Sequence, residues 1–183
     1  MQSSRFGGRV AMLVVISMLL AGSSLTLPWY RFSDPWGEPG SVFEVHISSV
    51  YLEPGGVRFT SFASIQTLTD VVRDFVYIWL FVAFVFLGAV FINDKSLSLI
   101  AGIATIVAGF GSLAYFALGI GGAIHKTSGW EDITWPTGFA GSAGEGVLIY
   151  TWGPLDGFLA LLVAAVLQTS AVFVRIVVVI RDM

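Results

Sequence analysis

Few residues in this chain are of types that could do chemistry. Two histidines, His46 and His125, fall in separate polar stretches. With Glu44, Glu131 or Asp132 they carry the donor types of a zinc-like site, but nothing in their spacing requires one. The adjacent acids Glu131 and Asp132 could pair for acid–base work, although neighbouring carboxylates in a polar loop are ordinarily just solvated. His46, His125, Glu131 and Asp132 are therefore the metal candidates, and the expectation is no metal, no cofactor and no catalytic residue. The chain has 0 Cys, which excludes a dithiol enzyme, an iron–sulfur site and a thiolate metal centre. No His lies in an apolar stretch, so neither haem ligation nor a buried Ser–His pair is available there. None of the 21 Gly forms a phosphate loop after a strand. With 9 Lys+Arg against 12 Asp+Glu there is no basic surface for nucleic acid. Two polar side chains interrupt an apolar run. Gln168 should hydrogen-bond to a neighbouring helix, because an unpaired amide in hydrocarbon costs several kcal/mol. Arg175 is expected to snorkel toward headgroups.

The elements that must hold these residues are set by composition. Of 183 residues, 56% are hydrophobic, 14% aromatic and 11% charged, and mean hydropathy is +0.85. A soluble domain carries roughly a quarter charged residues, so the composition is that of an integral membrane protein. A hydrocarbon core of ~30 Å needs about 20 helical residues. Four runs meet that length, at about 10–27, 75–92, 97–120 and 157–180, in a single membrane domain covering 1–183. Arg5, Arg9 and the small residues Ala21-Gly22-Ser23 also fit a secretory signal; we read the first run as a retained span.

Orientation follows the basic residues. With both termini cytoplasmic, the inner side holds Arg5, Arg9, Lys95, Arg175 and Arg181, and two long extracytoplasmic loops occupy 28–74 and 121–156. The outer side then carries four basic and ten acidic residues, and all 6 Trp and 5 Tyr lie in outer loops or outer span ends. Trp29, Tyr30, Tyr77, Trp79, Tyr115, Tyr150 and Trp152 read as a one-sided aromatic belt. The inner side is too small for a cytoplasmic catalytic or nucleotide-binding domain.

Within the first loop, Phe43, Val45 and Ile47 alternate with Glu44, His46 and Ser48, the period-two pattern of a half-buried strand. Glu53-Pro54-Gly55-Gly56 suits a type II turn, and alternation resumes at Val57-Arg58-Phe59-Thr60. This predicts a hairpin over 43–62, with a parity slip at Ser48-Ser49 marking a bulge. A second β-prone run over 146–152, with Val147 and Ile149, is expected to pair with or pack on that hairpin. Thr67-Leu68-Thr69-Asp70 reads as a helix N-cap. The fold class is thus mainly α: a four-transmembrane-helix bundle with a small extracytoplasmic β-sheet made of a hairpin plus one added strand. Helices in lipid associate through small residues. These are Ser17, Ala21 and Ser24 in the first span, Ala101, Thr105, Ala108, Gly109 and Ser112 in the third, and Ala160, Ala164 and Gln168 in the fourth. The second span is bulky, and Phe75, Trp79, Phe81, Phe84 and Phe86 are expected to face lipid or fill gaps.

The layout resembles the claudin-like tetraspan families. Leu27-Pro28-Trp29-Tyr30-Arg31-Phe32-Ser33 is similar to their segment after the first span; their Gly-Leu-Trp followed by two cysteines is absent. The resemblance implies both termini inside, an outer β-layer and lateral association through it. The expected function is that of a structural or accessory protein of the plasma membrane, not an enzyme. It would meet membrane lipids and associate with copies of itself or with a larger assembly. Phe43, Val45, Ile47, Phe59, Val147 and Ile149 would serve on the β-layer, and Ala108, Ser112, Ala164 and Gln168 on the helices. The alternative is an ion or small-solute pathway with an acidic outer vestibule, which a continuous polar column through the bundle would favour.

Overall fold

A computed structural model of the chain describes residues 2–33, 42–47, 50–52, 63–128, 139–145 and 148–181. The described elements are α1 (Gln2–Ser24), β1 (Pro28–Ser33), β2 (Val42–His46), β3 (Val50–Leu52), α2 (Ala63–Phe91), α3 (Lys95–Ser128), β4 (Gly141–Glu145), β5 (Leu148–Pro154) and α4 (Asp156–Arg181). All four helices are long and apolar enough to cross a membrane, and together with the small antiparallel sheet they fit a tetraspan layout.

The helices outrun the apolar runs that announce them. α2 begins at Ala63, ahead of both the expected cap at Thr67–Asp70 and the expected span start near Phe75, and α3 continues to Ser128 rather than ending near Ile120. The reason in α2 is a buried stripe at helical spacing. Ile65, Leu68, Thr69, Val72, Val76, Trp79, Ala83, Phe86 and Val90 are all buried, a period of 3.6 that starts well before hydropathy rises. Thr69 lies within the helix, its hydroxyl donating to the Gln66 carbonyl at 3.0 Å. The Thr67–Asp70 segment is therefore helix interior, not an N-cap.

Two adjacent residues close α2 and open α3. Asn93 has φ 57°, the left-handed conformation that Asn tolerates better than other side chains. The Asn93 N–H donates to the Val90 carbonyl at 3.2 Å and the Asp94 N–H to the Ala89 carbonyl at 2.9 Å. This is the Schellman pattern of a helix C-terminus. Asp94 then caps α3, its Oδ1 accepting the Leu97 N–H at 2.9 Å.

The sheet is antiparallel with order β3-β2-β1-β5-β4. This corrects the hairpin-plus-one-strand expectation in three ways. First, β2 turns back into β3, with Val45 opposite Val50 and Phe43 opposite Leu52. The expected bulge at Ser48-Ser49 and the expected turn and return strand at 53–60, with Phe59, lie outside the described residues. Second, β1 sits at the centre, paired with β2 on one side and β5 on the other, so among the described residues the late strand pairs with β1 and not with a strand of the hairpin. Third, the Gly-rich segment Gly141–Glu145 is itself a strand, paired with β5. Opposite Gly141 stands Trp152, whose ring would be 2.7 Å from a Cβ added there.

The chain divides into two compact units. The first, Met1–Ser23, Asp74–Ser112 and Ala160–Met183, is helix where described apart from the turn at Ile92–Asp94. Its core includes Val10, Val14, Phe86, Val90, Ala101, Ala171 and Val172. The second, Ser24–Arg73 and Leu113–Leu159, holds the sheet and an aromatic core. Trp29 meets Phe116 edge-on at 5.1 Å and Phe158 at 5.9 Å. Phe139 lies 5.6 Å from Tyr30 and 4.9 Å from Phe158. A register shift between Pro28 and Tyr30 breaks strict alternation in β1, and both Trp29 and Tyr30 are buried.

Candidate functional site

The metal candidates do not assemble among the described residues. His46 Nε2 lies 3.7 Å from Glu44 Oε2, but Glu44 is already engaged with Arg31, its cross-strand neighbour in β1, through Arg31 Nε at 3.1 Å and Nη2. His125 belongs to the last turns of α3. Glu131 and Asp132 lie outside the described residues. Among the described residues no three His, Asp or Glu side chains gather in a form that could hold a metal ion.

Polar chemistry within the first unit falls into separate clusters. Gln168 in α4 accepts from Ser17 Oγ of α1 at 2.9 Å and donates to Thr105 Oγ1 of α3 at 3.2 Å. Its amide thus ties three helices, as its place in an apolar run demanded. Both hydroxyls also serve their own helices: the one hydrogen of Ser17 Oγ is shared between Gln168 and the Val14 carbonyl, at 2.7 Å, and Thr105 donates to the Gly102 carbonyl at 2.6 Å. Along α3 the buried residues Ser98, Thr105 and Ser112 recur every seventh position, about 10.5 Å apart. Between the first two lies an apolar layer in which Gly102 is pressed by Val172 and Phe86.

Arg175 departs from expectation. It is buried, 5% exposed, and does not reach out along the helix surface. Its Nε donates to Ser98 Oγ at 3.0 Å, and Nη1 and Nη2 both donate to Asn93 Oδ1 at 3.2 Å. The left-handed turn residue and the first turn of α3 supply oxygens within the fork's reach, so the side chain is held inward by hydrogen bonds.

The aromatic belt is also corrected. Trp29, Tyr30, Trp79 and Trp152 are buried, whereas Tyr77 and Tyr115 are 53% and 45% exposed. Trp29 Nε1 donates to the Ser24 carbonyl at 2.7 Å and Tyr30 donates to the Phe139 carbonyl at 3.0 Å. These rings have internal acceptors and fill a core. Burial also raises the Tyr30 phenol above its ordinary pKa, because the phenolate would lose solvation. Trp79 differs: its buried indole N–H has no acceptor among the described residues. It packs where a Cβ on Gly109 would be 2.8 Å from Nε1. Of the other bulky residues in α2, Phe86 is fully buried, while Phe75, Phe81 and Phe84 are 37%, 68% and 65% exposed.

The expected association residues are placed unevenly. Val45 and Ile47 are buried, as are Ser112, Ala164 and Gln168 in the helices. Ala108 is half-buried in α3. Phe43 and Ile149 lie in β2 and β5. Phe59 and Val147 lie outside the described residues. Large apolar side chains take the exposed helix positions instead, including Leu19 at 70%, Phe81 at 68%, Val107 at 67% and Phe173 at 65%. Sequence reading missed strand β4, Gly141–Glu145, now an end strand of the sheet. Its only signal was spacing from the β-prone run that follows, since Gly, Ser and Ala carry no β-pattern. No protein-family model matches the chain, and a search of curated proteins finds no match.

Proposed function

We propose that this is an integral membrane protein with a structural or accessory role, associating with copies of itself or with a larger membrane assembly through its β-sheet. The claudin-like layout carries the same idea: a β-layer outside the membrane, both termini in the cytoplasm, and the plasma membrane as the site. The exposed apolar rings and aliphatic chains on all four helices support the membrane reading, because such side chains are stable facing lipid. The observation that carries the association reading is the sheet's end strand β4. Strand edges offer unpaired N–H and C=O groups, and soluble proteins blunt them with Lys, Pro or a covering element. β4 reads Gly-Ser-Ala-Gly-Glu, with neither Lys nor Pro, and Gly141 and Ser142 are exposed. A strand added there would extend the ladder. Against a conduction pathway stand the apolar layer between polar clusters and the single buried charge, Arg175, among the described residues.

The test is isolation of the full chain from its native membrane in mild detergent, with the mass of the complex and its other subunits determined. A complex larger than one chain, reduced to one chain by substitutions in β4 that leave the helices folded, is the expected result. A monomer in mild detergent, unchanged by those substitutions, would sink the proposal. Recovery of the chain in the supernatant after alkaline carbonate extraction would sink the membrane reading itself.

A further inference from the structure

Arg175 carries the only buried charge among the described residues, and every acceptor around it is neutral. Its partners are the Ser98 hydroxyl and the Asn93 amide oxygen. One N–H on each terminal nitrogen is left without an acceptor among the described residues. Asp94, next to Asn93, is committed to the Leu97 N–H. A buried cation with no ion-pair partner among the described residues is costly to hold in a low-dielectric interior. The acceptor that the two terminal nitrogens share, Asn93, is exposed at the α2–α3 turn. The first N–H groups of α3, at Lys95 and Ser96, belong to the same turn and add positive potential. Flanking it are exposed apolar side chains, Phe91 and Ile92 at 72% each, Leu97 at 40% and Ile100 at 68%. Cationic donors bordered by exposed hydrocarbon match a ligand with an anionic head and apolar tails.

We propose that the phosphate of an anionic phospholipid seats at the α2–α3 turn and supplies the counter-charge for Arg175. A phosphate oxygen would accept one of the remaining guanidinium N–H groups, which point away from each other because both terminal nitrogens already converge on Asn93. Phe91, Ile92, Leu97 and Ile100 would border its acyl chains. The inference rests on the membrane reading above, because a phospholipid is abundant at this turn only if the helices span a bilayer. It favours lipid over free phosphate because the donors sit among apolar side chains that a free ion would not use.

The experiment uses the full chain purified in nonionic detergent. Three probes are added separately: phosphatidylglycerol, phosphatidylcholine with the same acyl chains, and inorganic phosphate. Thermal unfolding and native mass spectrometry read the result. Phosphatidylglycerol should raise the unfolding temperature and remain bound to the wild-type chain, with phosphatidylcholine retained roughly fivefold less, as one unmatched cation implies. Arg175→Gln should abolish the response to phosphatidylglycerol. Native mass spectra of the wild type decide the matter even where that variant fails to fold. Equal retention of the two lipids, or an undiminished phosphatidylglycerol response in Arg175→Gln, would overturn the proposal. An equal shift from inorganic phosphate would overturn the lipid assignment in favour of a free anion. A chain that resists carbonate extraction yet shows no lipid preference defeats this site alone; one that is extracted defeats the membrane reading with it.

Discussion

Gln168 and Tyr30 show how single polar atoms are handled inside an apolar chain. Replacing Gln168 by Leu removes two interhelical bonds but leaves Ser17 and Thr105 with acceptors on their own helices. The fold should therefore survive, with stability lowered by about 0.6–2 kcal/mol, the range for such bonds between membrane helices. Unfolding in detergent, followed by circular dichroism, measures this; complete unfolding of the variant would mean that Gln168 does more than bond. Tyr30 gives a pH prediction. Its phenol is raised by burial, so the folded state holds the proton more tightly than the unfolded chain. That contribution is fully present below the ordinary tyrosine pKa of about 10 and is lost as pH rises above it. Stability should fall through the alkaline range, and Tyr30→Phe should flatten that slope while losing the bond to the Phe139 carbonyl. Denaturant midpoints at neutral pH and above pH ~10 make the comparison. Gln168 was legible in the sequence because an amide among Leu, Val and Ala has no other acceptable partner than a neighbouring helix. Arg175 was not, because its burial depends on Asn93 and Ser98, which are distant in sequence and arrive only on folding.

Among the elements, glycine packing decides how closely they approach. A Cβ on Gly157 would strike the Trp29 ring and stand 2.8 Å from the Leu27 carbonyl oxygen. Neither neighbour has room to yield: the Trp29 indole is bonded to Ser24 and wedged between Phe116 and Phe158. Gly157→Ala is expected to cost about 1–3 kcal/mol, as overpacking does. Gly119→Ala also creates a close contact, but only with the tip of the Leu68 side chain. A rotamer change there relieves it, so this variant should be the milder of the two in thermal unfolding; the reverse order would refute the packing argument. Helix existence was plain in the sequence, while helix limits were not. Hydropathy reports the stretch that lipid can cover, whereas the buried stripe of α2 reports the helix. Ile65, Leu68 and Val72 belong to the second pattern and not the first.

For the molecule as a whole, the absence of Cys makes topology directly testable. Single cysteines at Ser96 and Ser142, both exposed, should be labelled by a membrane-impermeant thiol reagent from opposite sides of sealed vesicles. Labelling of both from one side would end the four-span orientation. Association through β4 has its own internal control. Successive N–H groups of a strand point to opposite edges, so of Ser142→Pro and Ala143→Pro one removes a bond to β5 and the other an edge donor. The first should unfold the sheet. The second should leave it folded and reduce the mass of the detergent-isolated complex. If both variants keep that mass, β4 is not the association edge.

What the sequence alone determined is whatever follows from composition and length. Four apolar helices, the tight Asn93-Asp94 break, the strand at Val42–His46 and the need for Gln168 to find a partner each depend on residues close together in the chain. What only tertiary structure decided depends on residues brought from afar. The centre of the sheet is β1, a strand with no alternating pattern, because β2 and β5 flank it from opposite sides. Trp29, Tyr30, Trp79 and Trp152 are core residues and not interfacial anchors. An aromatic side chain suits a headgroup layer and a packed interior equally well, and only the neighbours present in space choose between them.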